Sequence, residues 1–215
     1  SRKGFHLITN QANIGYTGTI NIGIRWAGGD DVLLLNSDTI VTPGFLEGLC
    51  RTAASDADVG TVTAMSDNAG AFSFPLFNQP NPKPTDMSHD EHAASILRRT
   101  SSCVPVEVPT GSGFCMYIRR AVFDAIGLFD DKTFPRGYGE ENDFCMRALK
   151  SGWRNLISPS AYVYHVRTAS FGAEKEGLTK HAIEKVTKLH PDYASRVKSA
   201  FASDQMRALR AAAQG

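Results

Sequence analysis

The run Val32-Leu33-Leu34-Leu35, set between Asp30-Asp31 and Asn36-Ser37-Asp38, constrains this chain more than any other segment. Successive side chains of a strand point to opposite faces, so four aliphatic residues in a row leave neither face fit for water. A run of this kind belongs in a sheet covered on both sides, and a central, parallel position is expected for it. Segments on either side supply the cover. Thr17 to Ala27 reads as a helix stopped by Gly28-Gly29, Phe5 to Thr9 as a short β-prone run, and Gly60 to Met65 as a branched, alternating strand. Alternating strands and helices give an α/β fold, in which ligands collect at the carboxyl ends of parallel strands. Chemistry is therefore expected just after Leu35.

The rest of the chain continues the alternation. Thr42-Pro43 reads as a helix entry for a segment reaching Ala54, and Ser88 with Glu91 three residues on is a capping box for a helix to Arg98. Between them Ser66 to Asp86 holds four prolines and no steady period, so a long surface loop is expected. Its Phe72, Phe74 and Phe77 serve either as an aromatic cover over a ligand or as local packing. Val104 to Val108 and Phe114 to Ile118 read as strands flanking Thr110-Gly111-Ser112-Gly113, and Ala121 to Ile126 as a short helix closed by Gly127. Glu140 to Ser151 reads as a helix, Trp153 to Ile157 and Ala161 to His165 as two returning strands. From Leu178 the pattern is helical and charged, with Pro191 dividing two helices and an Ala-rich end expected to fray. The expected organisation is a partial α/β domain over 1–172 and a C-terminal helical extension over 173–215.

Composition excludes several partners. Lys+Arg 23 against Asp+Glu 22 leaves a net charge of +1, too little field to hold nucleic acid. The longest apolar stretches fall far short of the roughly 20 residues a membrane span needs. With no secretory pattern after the basic Ser1-Arg2-Lys3-Gly4, a cytoplasmic location is expected, extending to the inner face of the membrane for a peripherally reached acceptor. Cys50, Cys103, Cys115 and Cys145 form no CxxC pair, so reduced and mostly buried thiols are expected, with a catalytic cysteine as the alternative.

Three groups of residues carry chemistry. Asn36-Ser37-Asp38 ends an apolar strand, where a carboxylate on a turn of small neighbours can approach a divalent cation that also holds a diphosphate; ordinary turn chemistry is the alternative. Gly137-Tyr138-Gly139-Glu140-Glu141-Asn142-Asp143 stands at the start of a helix. Crowded carboxyls raise one another's pKa, so Glu140 or Glu141 can serve as general base, while acids at a helix N-terminus also answer the dipole alone. His165 ends a strand beside Arg167, either as a structural histidine or with its imidazole turned to a metal.

In order, the chain reads Asn13-x-Gly15-Tyr16, Asn21-x-Gly23, Leu34-Leu35-Asn36-Ser37-Asp38, Thr110-Gly111-Ser112-Gly113, Arg119-Arg120, Gly127-Leu128-Phe129-Asp130, Gly139-Glu140-Glu141-x-Asp143-Phe144 with Arg147 and Gly152, and finally His165. This series resembles family 2 glycosyltransferases of the rhamnosyltransferase-like branch over roughly Phe5 to Gly172. The resemblance implies a GT-A fold, a three-layer sandwich with a mixed sheet, and an inverting, metal-assisted transfer of a hexosyl or rhamnosyl group. The donor would be a nucleotide sugar and the acceptor a hydroxyl of a glycan or lipid-linked saccharide, in bacterial cell-surface polysaccharide synthesis. It further implies Mn²⁺ or Mg²⁺ held by Asp38 and His165, a base at Glu141 ahead of Glu140, and Asp143 orienting the acceptor or the helix. Asn13, Gly15, Asn21, Asn36, Ser37, Asp38, Gly111 and Ser112 fall on the donor side. Two departures stand out: Asn36 replaces the first acid of a DxD motif, and Glu141 replaces an Asp base.

The family's opening strand, and the second strand that reads the nucleotide base, have no counterpart here, so a fragment lacking the N-terminal part of the domain is expected. The rival readings are a non-catalytic fragment or binding module that keeps the fold, and a nucleotidyltransferase. The latter would carry a Gly-rich basic phosphate loop near the N-terminus, which the sequence lacks.

Overall fold

A computed structural model describes residues 4–166 and 172–215. Arg167, singled out above, lies outside the described residues.

The sheet is built on β3 (Val59–Met65), all seven of whose residues are buried. It pairs in parallel with β6 (Arg154–His165) and antiparallel with β5 (Cys115–Ile118), which in turn pairs antiparallel with β1 (Val32–Leu35). The long β6 also carries β4 (Val106–Val108) along its first half and β2 (Thr39–Val41) along its second, both antiparallel. The sheet is mixed, as expected, but two strand readings need correction. β1 stands at the end of the order with β5 as its partner among the described residues, and Leu35 is 43% exposed. Its apolar run is matched by the wall of a groove against α1 (Gly15–Trp26), not by strands on both edges. Arg154 to His165 forms one strand, not two, because a register shift between Ala64↔Ser158 and Met65↔Tyr162 accommodates Pro159, whose missing N–H cannot join a ladder.

Phe5 to Thr9 is not a strand; Phe5, Leu7 and Ile8 are exposed and pair with nothing in the sheet. A β-prone run needs a neighbour to supply its hydrogen bonds. Helix α2 (Phe45–Ala53) starts later than Thr42-Pro43 suggested. Gly44 takes the N-cap at φ 78, while the Thr42 hydroxyl donates to the Tyr162 carbonyl at 2.6 Å, tying the helix entry to β6. Gly48 lets α2 lie on β6 so closely that a Cβ there would meet the Ser160 carbonyl oxygen at 2.0 Å.

The capping box forms as read, with Ser88 and Glu91 bonded reciprocally at the start of α3 (His89–Arg99). The helices α4 (Arg120–Ile126) and α5 (Glu140–Lys150) follow, and the C-terminal region holds three helices: α6 (Gly172–Leu189), α7 (Tyr193–Phe201) and α8 (Asp204–Gln214). Pro191 does divide α6 from α7, but the last segment does not fray. Met206, Leu209 and Ala213 are fully buried in the main core with β3 and β6, so α8 packs as part of the domain. Arg210 reinforces this by donating to the carbonyls of Ser73, Pro75 and Ala71 at 2.7, 3.1 and 2.8 Å. Among the described residues no helix is long and apolar enough to cross a membrane.

Candidate functional site

The turn after β1 is fixed from both sides. The Asn36 amide donates to the Phe114 carbonyl at 2.9 Å, the Val166 amide to the Asp38 carbonyl at 2.9 Å, and the Thr39 hydroxyl to the Asn36 carbonyl at 2.7 Å. Because β2 pairs Thr39 with His165, Asp38 arrives beside the histidine at the end of β6. The His165 Nε2 atom lies 3.3 Å from Asp38 Oδ1 and 3.4 Å from Asn36 Nδ2. Its ring stacks on Phe114 at 5.3 Å, and its backbone N–H donates to Asp67 Oδ1 at 2.8 Å. The imidazole is thus held in position by groups that leave its Nε2 edge facing the carboxylate.

The acidic helix reaches the same place by an unusual turn. Gly137, Tyr138 and Gly139 all have positive φ (84, 59 and 108), and they deliver the chain into α5 with Gly139 as the N-cap. A left-handed tyrosine is strained, and here it stands at the cavity wall. Glu141 accepts the Gly113 N–H at 3.2 Å, which anchors its carboxylate to the Thr110–Gly113 loop. Glu140 is 4% exposed, and among the described residues its Oε2 has no hydrogen-bond partner. Burial, and next the neighbouring Glu141 charge, push the Glu140 carboxyl well above the usual range. Tyr16 stands across the gap. Burial first, then the charges of Glu141 and Glu140, raise its phenol, so it remains a neutral donor.

Asp38, Asn36, His165, Glu140 and Glu141 line one cavity of about 590 Å³, a size usual for small-molecule sites. Part of its wall is apolar, supplied by Phe72 of the long loop and by Ile183, Val197 and Phe201 of α6 and α7. Of the three loop phenylalanines, Phe74 is fully buried in the core, Phe72 serves core and cavity together, and Phe77 packs under the Arg210 guanidinium at 4.9 Å. Asn36 and Asp38, with Ser37, also line a second groove of about 920 Å³ between α1 and β1. Tyr16 borders both spaces.

Other expected site residues have structural work. Asn21 is 1% exposed, and its amide bonds the Phe129 carbonyl (2.9 Å), the Phe129 N–H (3.2 Å) and Asp131 (3.3 Å). It clamps α1 to the loop before α5 and does not reach the cavity. Asn13 is exposed and accepts the Gly15 N–H at 2.9 Å, opening α1. Gly15, at φ 80, is required because a Cβ would meet the Pro135 carbonyl oxygen at 2.0 Å. Gly111 and Ser112 line the cavity, yet their amides are committed to Cys145 Sγ (3.1 Å) and Thr63 Oγ1 (3.2 Å) and so form no free anion cradle. Asp143 is buried, its oxygens taken by Arg147 and His190, which makes it a helix-orienting residue rather than one facing the cavity. All four cysteines are free, and only Cys115 and Cys145 are buried; burial pushes both of those thiols up to about 12, which excludes them as nucleophiles.

Sequence reasoning passed over Tyr16, Asp67, Tyr138 and Asn142. Tyr16 stood in a quoted motif, and Gly137-Tyr138-Gly139 advertises a left-handed turn. Asp67, inside an aperiodic loop, had no such signal.

A mixed sheet flanked by helices, with a turn carboxylate, a histidine and paired glutamates at one cleft, defines the class of α/β transferase that works on ligands at strand ends. Residues 2–179 match the family described as Glycosyltransferase like family 2, and the chain belongs to that family. It is 32% identical over 157 residues to an uncharacterised protein of Mycobacterium tuberculosis (strain ATCC 25618 / H37Rv), covering 71% of this chain and 54% of that one. An N-acetylglucosaminyl-diphospho-decaprenol L-rhamnosyltransferase of the same organism is 27% identical over 191 residues, covering 78% and 61%. The chain thus spans little more than half the length of these relatives. In fold it is similar to GalNAc-T7 solved with UDP, GalNAc and Mn²⁺ (TM-score 0.57, 14% identity, 95% of this chain and 42% of that one). The mannosyltransferase PcManGT from Pyrobaculum calidifontis, solved with GDP-Man and Mn²⁺, is also similar (TM-score 0.52, 15% identity, 96% and 50%). The fold is GT-A.

Proposed function

We propose that this domain transfers a sugar from a nucleotide-sugar donor to a hydroxyl of a glycan or lipid-linked saccharide, with inversion at the anomeric carbon and with help from Mn²⁺ or Mg²⁺. The observation that carries this reading is the convergence of Asp38, His165 and Glu141 on one cavity. The donor set fits a cation. A carboxylate oxygen and an imidazole nitrogen 3.3 Å apart match neighbouring ligands on an ion with bonds of about 2.1 Å, which stand about 3 Å from one another. Asp38 and His165 would hold it, leaving its other positions to diphosphate oxygens and water. Bound between them, such an ion would supply positive charge opposite the leaving diphosphate.

Glu141 is the residue assigned to the acceptor in this reading. Held by the Gly113 N–H, its carboxylate takes the acceptor hydroxyl proton as that oxygen bonds to the anomeric carbon and the bond to the diphosphate breaks. Burial and the neighbouring Glu141 charge push the Glu140 carboxyl upward, which favours Glu141 over Glu140 as the base. A single displacement of this kind inverts the centre. The relative named N-acetylglucosaminyl-diphospho-decaprenol L-rhamnosyltransferase supports a saccharide acceptor on a lipid carrier.

The test is nucleoside diphosphate release from a panel of sugar nucleotides with Mn²⁺, alongside the anomeric configuration of the product by NMR. Asp38→Ala and Glu141→Gln should each lower turnover by a factor of about 10² or more while leaving the circular dichroism spectrum intact. Near-wild-type turnover in Asp38→Ala would remove the cation assignment, and a product of retained configuration would remove the single displacement. Loss of activity in Glu140→Gln with an active Glu141→Gln would move the base back one residue.

A further inference from the structure

We propose that His190, in the turn between α6 and α7, is a positioning residue that sets the roll of the catalytic helix α5 through a Lys150–His190–Asp143 relay. The proposal rests on the reading of Glu141 as the base.

Asp143 and Lys150 stand two turns apart on one face of α5, and the imidazole of His190 bridges them. Its Nε2 lies 2.8 Å from Asp143 Oδ1 and its Nδ1 lies 2.8 Å from Lys150 Nζ. A lysine ammonium has only hydrogens to offer, so Nδ1 must accept. With Nδ1 accepting, the Nε2–H donates to the aspartate. The second Asp143 oxygen receives Arg147 Nε at 2.8 Å, and the same guanidinium donates to the carbonyls of Ile126 and Leu128 at 2.8 and 3.0 Å. His190 and Asp143 are 3% and 4% exposed, so little water competes for these bonds. Beside them the Asn142 amide donates to the Tyr193 hydroxyl, and Phe134, Met146, Val186 and Tyr193 pack as a small core between α5 and the C-terminal helices.

This matters because α5 has no side-chain cap at its entrance. Glu140 and Glu141 occupy its first turn, directly after the left-handed run Gly137 to Gly139. The first side chains below them, Asn142 and Asp143, are the ones tied to the α6–α7 turn. Side chains reach about 5–6 Å from a helix axis, so a roll of about 10° moves a carboxylate by about 1 Å. Displacements of that size cost up to about 10²-fold in rate. Helices distant in sequence from Glu141 would thereby set its aim.

The test compares His190→Leu, which removes both ring contacts, with His190→Gln, whose amide can donate to Asp143 and accept from Lys150. In His190→Leu, kcat should fall about ten- to a hundred-fold with the donor KM within about threefold of the parent value. The Gly113 amide, which donates to Glu141, should exchange its hydrogen faster by NMR, whatever chemistry Glu141 performs. His190→Gln should restore most of kcat and of the Gly113 protection. The proposal is overturned by an unchanged Gly113 exchange rate and kcat in His190→Leu, or by equal losses of kcat, donor affinity and melting temperature in both variants. An active Glu141→Gln alongside faster Gly113 exchange in His190→Leu would sink the base assignment and leave the latch standing.

Discussion

Replacing Glu140 by Gln should change how stability depends on pH. In the folded protein burial, and then the Glu141 charge, hold the Glu140 carboxyl well above the ordinary range, whereas in the unfolded chain it ionises at the ordinary value near 4.5. Between those two values the folded state keeps a proton that the unfolded state has released. Stability must then fall as pH rises, by about 1.4 kcal/mol per unit for one group. Gln has the same size and an N–H in place of the O–H, but nothing to titrate. From about pH 6 to about pH 8 the stability of Glu140→Gln relative to the parent should thus climb by about 3 kcal/mol. At 4% exposure solvent screening takes little from this figure. Urea midpoints and slopes at three pH values measure it directly, and ionisable groups distant from Glu140 cancel in the difference. Parallel pH profiles for the two proteins would refute the argument that Glu140 is neutral in the folded state.

Further outcomes follow from single contacts. Gly48→Ala should destabilise by about 1–3 kcal/mol in thermal or denaturant unfolding, because backbone and not a flexible side chain stands 2.0 Å from the new Cβ. Ser88→Ala should cost about 1 kcal/mol by the same measurement, through loss of the capping box on α3. Arg210→Met should speed proteolytic cutting between Ala71 and Pro75, since it frees the three loop carbonyls that the guanidinium holds; an unchanged cutting rate would mean the loop is secured by Phe72 and Phe74 alone.

What was legible in the chain was local. The Ser88–Glu91 cap formed because both partners lie within one turn, and β3 could be read because its branched residues serve a strand on either face. Val32 to Leu35 misled for a physical reason: a continuous apolar run reports the cover on its faces and not its neighbours along the edges, and here Val32 and Leu34 pack with α1, Leu33 packs against the main core, and β5 lines one edge. Pro159 misled in the opposite sense, because a bulge can carry a proline through a strand that sequence rules would divide. Asp38, Glu141 and His165 could each be named from local pattern, yet their meeting depends on pairing Thr39 with His165 and Gly113 with Glu141 across the chain. The same limit hid the C-terminal helices. Their charged surface reads as a C-terminal helical extension, whereas Met206, Leu209 and Ala213 enter the main core and His190 and Tyr193 hold α5 from behind. What packs behind α5, the helix that opens with Glu140 and Glu141, thus comes from segments whose docking no local pattern reports.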